Sequence, residues 1–215
     1  MDYAKARETM VEQQVRPWDV LDVRVLDVLA RLPRDAFVGD VHRALAYADI
    51  ELPIGHGERM MKPVVEGRVL QALELDAGDE VLEIGTGSGF LSACLGGLAR
   101  EVVSIERHAD FVDTARERLQ AHGIANVAVE TADAFAWDSD RRFDAICVTG
   151  AVAAVPSHFL QWLRPGGRMF VVQGSSPVMD AVLLRQDVNG MRTESLFETD
   201  LAYLAGAAPV PAFVF

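Results

Sequence analysis

Apolar residues along this chain recur first at helical spacing and then in short runs that alternate with helix-length segments. Residues 4–15 and about 20–32 carry the helical period, with Val25, Leu29 and Leu32 on one face. Pro17 interrupts the two segments, and Pro33 ends the second. Residues 35–67 follow no period and are rich in small residues, with Leu52-Pro53-Ile54-Gly55-His56-Gly57 at their centre. A helix is predicted from about Pro63 to Leu73, with Val65, Val69 and Leu73 apolar. Beyond it the pattern turns regular. Strands are predicted at 81–84, 101–105, 127–130, 143–149 and 168–172, and helices near 89–98, 109–122 and 156–163. Arg164-Pro165-Gly166-Gly167 reads as the stop of the last helix. Such alternation predicts an α/β fold with a doubly wound, mostly parallel sheet. Ala181–Arg185 and Glu194–Phe197, flanking Asn189-Gly190, predict an antiparallel hairpin with a primed turn.

The richest local signal is Val81-Leu82-Glu83-Ile84-Gly85-Thr86-Gly87-Ser88-Gly89, followed at once by the apolar run from Phe90 to Leu95. A buried strand, a tight glycine turn and a helix start form the unit that cradles nucleotide-like cofactors. Glycine lets the ligand approach the backbone and adopts positive φ without penalty. The spacing here is G-x-G-x-G, and Phe90 stands where a dinucleotide fingerprint wants Gly or Ala. That bulk works against a pyrophosphate. Glu106 ends the next strand about 20 residues on, where an acid takes ribose hydroxyls. Asp133 follows the strand after that, placed to meet an adenine edge, with a helix cap as its structural alternative. Glu83 lies inside an apolar strand, so it must be paired, bracing the turn or facing the ligand.

Composition narrows the picture. The 215 residues, 50% hydrophobic, suffice for one well-buried domain with decoration. Its expected parts are an N-terminal cap and loop over 1–75, a cofactor core over 76–172, and a hairpin and tail over 173–215. The net charge of −12 argues against a nucleic-acid partner. No window is apolar enough for a bilayer span, and the N-terminus lacks a signal core, so a cytoplasmic protein is expected. Cys94 and Cys147 lie in apolar runs and read as buried thiols; the histidines show no metal-ligand spacing.

Taken together, VLEIGTGSG, the SIER after it, Asp133, FDAICVTGA and LRPGG resemble the class I S-adenosylmethionine-dependent methyltransferases. Residues 10–38, MVEQQVRPWDVLDVRVLDVLARLPRDAFV, and 46–63, AYADIELPIGHGERMMKP, resemble one branch, the protein-L-isoaspartate O-methyltransferases. The resemblance implies a seven-stranded sheet with helices on both faces, an N-terminal cap, S-adenosylmethionine as cofactor, and methylation of a damaged aspartyl carboxylate. It implies cofactor contacts from Glu83, Ile84, Gly85, Thr86, Gly87, Ser88, Gly89, Glu106, Arg107, Asp133, Ala134 and Thr149. A carboxylate with a pKa near 4 is already ionised at neutral pH, so the chemistry needs alignment and water exclusion more than a general base.

The chain departs from that branch at the acceptor loop. The family's G-x-T-I-S-x-P is Gly57-Glu58-Arg59-Met60-Met61-Lys62-Pro63 here, which puts Met61 at the position of the substrate-site serine. A thioether fills space and accepts weakly, where a hydroxyl donates. The G-D-G around the adenine acid is Ala132-Asp133-Ala134, and the usual R-F-V-P-L ending is not recognisable before Pro209-Val210-Pro211-Ala212-Phe213-Val214-Phe215. His56, beside the predicted methyl position, is with Met61 a candidate acceptor contact, or a base, against a structural role in a Gly-rich loop. Arg59 and Lys62 are candidate contacts for an acidic acceptor, against solvated loop charges. Three readings stay open: a peptide or protein acceptor bearing isoaspartate, a small-molecule carboxylate acceptor, and cofactor binding without turnover. Either a monomer or a homodimer fits.

Overall fold

Seven strands in the order β5-β4-β3-β6-β7-β8-β9 form the central sheet of a computed structural model that describes residues 2–188 and 190–209. β3 (Glu80–Ile84), β4 (Glu101–Glu106), β5 (Val127–Thr131), β6 (Phe143–Val148) and β7 (Leu163–Ser175) run parallel. β8 (Val178–Asp187) and β9 (Gly190–Thr199) add an antiparallel edge, with Ala181 opposite Phe197 and Leu183 opposite Glu194. The predicted hairpin is there and is longer than its apolar positions suggested; Asn189, half of the predicted turn, lies outside the described residues.

Strand alternation divides the core. Val81, Val102, Ala145 and Phe170 pack with the buried faces of α1 (Tyr3–Met10), α2 (Val23–Arg31), α3 (Pro63–Ala72), α4 (Phe90–Gly96) and α5 (Ala109–Ala121). The opposite faces, Leu82, Val103 and Ile146 among them, pack against Phe159 and Trp162. That second layer is thinner than the helices on both faces that the resemblance implies. The segment predicted as a helix at 156–163 is a 3-10 turn, Ser157–Trp162, and β7 already begins at Leu163. Arg164-Pro165-Gly166-Gly167 is therefore an irregularity inside β7, marked by a register shift against β6, rather than a helix stop. Aromatic rings supply the missing bulk: Trp137 meets Trp162 edge-on at 4.9 Å, and Phe159 stacks on Trp162 at 5.4 Å.

The N-terminal segments follow the predicted breaks. Asp2 and Asp22 cap α1 and α2 by accepting from the N–H groups of Lys5 and Arg24. Pro17 lies in a 3-10 turn, Arg16–Trp18, that ends in left-handed Asp19. The aperiodic stretch hides two 3-10 segments, Arg34–Phe37 and Asp40–Leu45, and a hairpin of β1 (Leu52–Gly55) and β2 (Glu58–Met60). Pro63 then opens α3, where its missing N–H costs nothing. Cys94 and Cys147 are buried and free. No described helix is long and apolar enough to cross a membrane.

Candidate functional site

The strand β3 delivers the glycine turn to the carboxyl edge of the sheet, at the reversal of strand order between β3 and β6. Gly85, Gly87 and Gly89 all have positive φ, at 97°, 50° and 83°. Two of them make room. A Cβ on Gly85 would overlap the Thr149 hydroxyl, which itself donates into the carbonyls of Ile84 and Gly85 at 2.9 and 2.7 Å. A Cβ on Gly87 would come within 3.1 Å of Ile54 on the β1–β2 hairpin. The turn thus lies between the sheet below and the hairpin above, and an open cleft lies between them.

Two carboxylates mark one wall. Glu106, at the end of β4, is buried and accepts from the backbone N–H of Gly87 and of His108, each at 3.0 Å. Asp133 follows β5, is exposed, and accepts from the N–H of Phe135 at 2.9 Å. The Ala132 N–H donates to the Glu106 carbonyl at 2.8 Å and so ties the two acids together. Both carboxylates keep lone pairs beyond these bonds, since each oxygen accepts twice. Asp133 is therefore a turn cap and a cleft acid at once.

Ile84, Gly85, Thr86, Gly87, Ser88, Glu106, Arg107, Asp133, Ala134, Thr149 and Met61 all line this cleft. Glu83, Gly89 and His56 do not. Glu83 points to the helix side, because strand alternation turns it away from its neighbours; there it accepts from Ser92 of α4 and from Ser104 of β4. The Thr86 and Ser104 hydroxyls lie 2.5 Å apart, so Glu83 braces the turn from beneath. Burial pushes its carboxyl up to about 7. Gly89 packs on Ala115 of α5 and starts α4. His56 occupies the tip of the hairpin with φ 51° and turns outward. Its Nε2 lies 2.9 Å from Asp110, and its ring stacks on His108 at 4.1 Å. This hydrogen bond holds the Asp110 carboxyl below its usual range. His56 is a tether for the hairpin, away from the cleft wall.

Met61 is buried and held from behind by Arg34, whose Nη2 donates to the Met61 carbonyl at 2.5 Å. Arg34 is fully buried, donates also to the Ala46 carbonyl, and pairs with Glu66 at 3.0 Å. Burial raises the Glu66 carboxyl, and the Arg34 charge opposes that shift. The Arg34 guanidinium lies 5.6 Å from the centroid of Phe90, so one cation joins the cap, the acceptor loop and the glycine turn.

Sequence reasoning missed several lining residues. Ile54 and Phe111 close the hairpin side and Phe135 the side of Asp133; an aromatic two residues after the acid was the available signal for the last. Residues 201–205 form a further wall. They run beside Ala151, which donates to the Ala202 carbonyl and accepts from the Leu204 N–H, both at 2.8 Å. No local pattern announced this, because it rests on pairing across some fifty residues. Pro209 is the last described residue, so the rest of the expected tail, 210–215, lies outside the described part.

A glycine turn at the switch point of a parallel sheet, two acids on the next two strand ends and a lid above them define a class I methyltransferase fold with an open cleft at that point. The chain belongs to the protein-L-isoaspartate(D-aspartate) O-methyltransferase family, whose model matches residues 5–199. It is 36% identical over 197 residues to protein-L-isoaspartate O-methyltransferase 1 of Syntrophobacter fumaroxidans, covering 91% of this chain and 92% of the relative. A Syntrophus aciditrophicus protein-L-isoaspartate O-methyltransferase is 37% identical, covering 90% and 91%. The fold is that of a Plasmodium falciparum protein-L-isoaspartate O-methyltransferase crystallised with S-adenosyl-L-homocysteine: TM-score 0.79 at 18% identity, over 92% of this chain and 97% of that one.

Proposed function

We propose that this protein binds S-adenosylmethionine in the cleft and transfers its methyl group to the carboxylate of an isoaspartyl residue in a peptide or protein. The carrying observation is the joint placement of Gly85 and Gly87, Glu106 and Asp133 on one cleft beneath the hairpin that holds Met61. The site fits such a ligand: side chains at Gly85 and Gly87 would fill it, and both acids keep acceptor capacity toward a nucleoside. In this reading Glu106 takes the ribose hydroxyls and Asp133 the adenine edge. Gly85–Ser88, with Thr149, hold the amino-acid portion, and Arg107 and Ala134 complete the wall.

When bound, the cofactor supplies an electrophilic methyl group on a sulfonium. The protein then aligns an already ionised carboxylate and excludes water, with no general base among its duties. Ile54, Met61 and residues 201–205 provide the exclusion, and Arg34 keeps Met61 in place. The net charge of −12 disfavours nucleic acid as acceptor, and the reaction belongs in the cytoplasm in this reading.

Incubation with methyl-labelled S-adenosylmethionine and an isoaspartyl peptide tests the proposal. Label transfer to that peptide, and none to its aspartyl counterpart, is expected. Cofactor binding without transfer sinks the isoaspartyl reading and leaves two others, a different carboxylate acceptor and cofactor binding without turnover. Met61→Ser then asks whether that thioether sets the acceptor; an unchanged rate moves the determinant elsewhere in the lid.

A further inference from the structure

Nearly every arginine along the cleft and the neighbouring elements is tied down. Arg34 pairs with Glu66, Arg118 donates to the Ser88 carbonyl, Arg164 to Glu80 and Asp144, and Arg168 to Asp79. Arg59 and Arg107 are exceptions: neither makes a side-chain hydrogen bond or salt bridge among the described residues, and both line the same cleft. Arg59 is carried by β2, two residues before Met61, and Arg107 directly follows Glu106 at the end of β4. Two unpaired guanidinium forks at one mouth are unusual on a chain of net charge −12, where acids outnumber bases and ready partners abound.

The acids of the cleft do not claim them. Glu106 and Asp133 accept from backbone N–H groups, and Glu66 is paired with Arg34. Glu58, next to Arg59 on β2, is the remaining acid, and among the described residues it makes no salt bridge or hydrogen bond with Arg59. A planar guanidinium matches a carboxylate in two parallel hydrogen bonds, and this geometry distinguishes it from a diffuse positive charge.

We propose that Arg59 is a specificity determinant that binds a second carboxylate of the acceptor, so that isoaspartyl peptides with an acidic neighbour are preferred. The inference rests on the isoaspartyl reading above for the identity of the methylated group. The acceptor reaches the lid side, where Arg59 precedes Met61 by two residues, and its extra carboxylate engages the exposed fork. An otherwise acidic protein thereby accepts acidic peptides that its overall field repels.

The test compares two fluorescent isoaspartyl peptides that differ only in Glu or Gln next to the isoaspartyl residue. Binding is read by anisotropy with S-adenosylhomocysteine present, and methylation by label transfer. Wild type is expected to bind the Glu peptide about fivefold more tightly, the ratio for roughly 1 kcal/mol from an exposed ion pair. Arg59→Ala brings the ratio to about one with S-adenosylhomocysteine affinity unchanged. Arg59→Lys, keeping the charge without the fork, retains part of it, and the preference lies in KM rather than kcat. Equal binding of the two peptides by wild type, failure of both to bind, or an unchanged ratio in Arg59→Ala overturns the inference. Preferential binding without methylation removes the isoaspartyl reading and leaves the role of Arg59 standing. Equal methylation of both peptides does the reverse.

Discussion

The two walls of the cleft are built by different means. The cofactor wall is mostly backbone: a glycine turn, strand ends, and carboxylates anchored by N–H groups of Gly87, His108 and Phe135. The lid wall is hung from side chains. Arg34 grips the Met61 carbonyl, His56 lies on Asp110 and His108, and Ile54 covers Gly87. The difference teaches where change is tolerated. A backbone cradle admits few substitutions, because its shape is set by φ angles and strand spacing. A lid held by a few side chains can exchange a cleft-lining residue, as at Arg59 and Met61, and keep its anchors.

The most severe way to break the lid is Arg34→Ala. It leaves Glu66 buried and uncompensated and frees the Met61 carbonyl, so a loss of about 3–5 kcal/mol is expected in urea unfolding. Arg34→Lys should recover part of it, and a variant as stable as wild type would refute the clasp. The brace beneath the cofactor wall responds to pH. Burial raises Glu83 from 4.5 to about 7, so the folded protein holds the proton more tightly than the unfolded chain. Its favourable contribution is complete below 4.5 and is lost as pH rises through about 7, a change on the order of 3 kcal/mol. Glu83→Gln cannot ionise, and stability measured from pH 4.5 to 8 should flatten; an unaltered slope would assign the pH dependence to other groups.

Within the cradle, Gly85→Ala sets a Cβ against the Thr149 hydroxyl at a φ of 97°. Strain together with a displaced hydrogen bond costs about 2 kcal/mol, and S-adenosylhomocysteine affinity by calorimetry should fall about thirtyfold. Native affinity would mean that the turn relaxes freely. The smallest effect belongs to His56→Ala, which unties an exposed tether. Faster release of bound S-adenosylhomocysteine in stopped flow, with stability nearly unchanged, is expected; an unchanged release rate would show that Ile54 and Phe111 hold the hairpin alone.

The order of strands and helices from β3 to β6 was legible, because buried parallel strands are short apolar runs and their helices keep a 3.6-residue period. The β1–β2 hairpin was not: Leu52-Pro53-Ile54-Gly55 has no clean alternation, and its burial comes from Phe111 and the glycine turn. The 3-10 turn at Ser157–Trp162 passed for a helix because Phe159 and Trp162 are spaced as one helical face would space them. Glu106 and Asp133 were found from spacing alone. Ile84 to Ser88, Arg107, Ala134, Thr149 and Met61 likewise fall on the cleft, whereas Glu83, Gly89 and His56 were drawn to it by proximity in sequence and are turned elsewhere.

By itself the sequence determined the glycine-turn half of the cleft, since a strand, three glycines and acids on successive strand ends are linked by short, fixed chain distances. Tertiary structure decided the lid half. Only folding brings Arg34 to Glu66, residues 201–205 to Ala151, and His56 to Asp110. These contacts join segments 32 to roughly fifty residues apart, where no local period constrains which side chains meet.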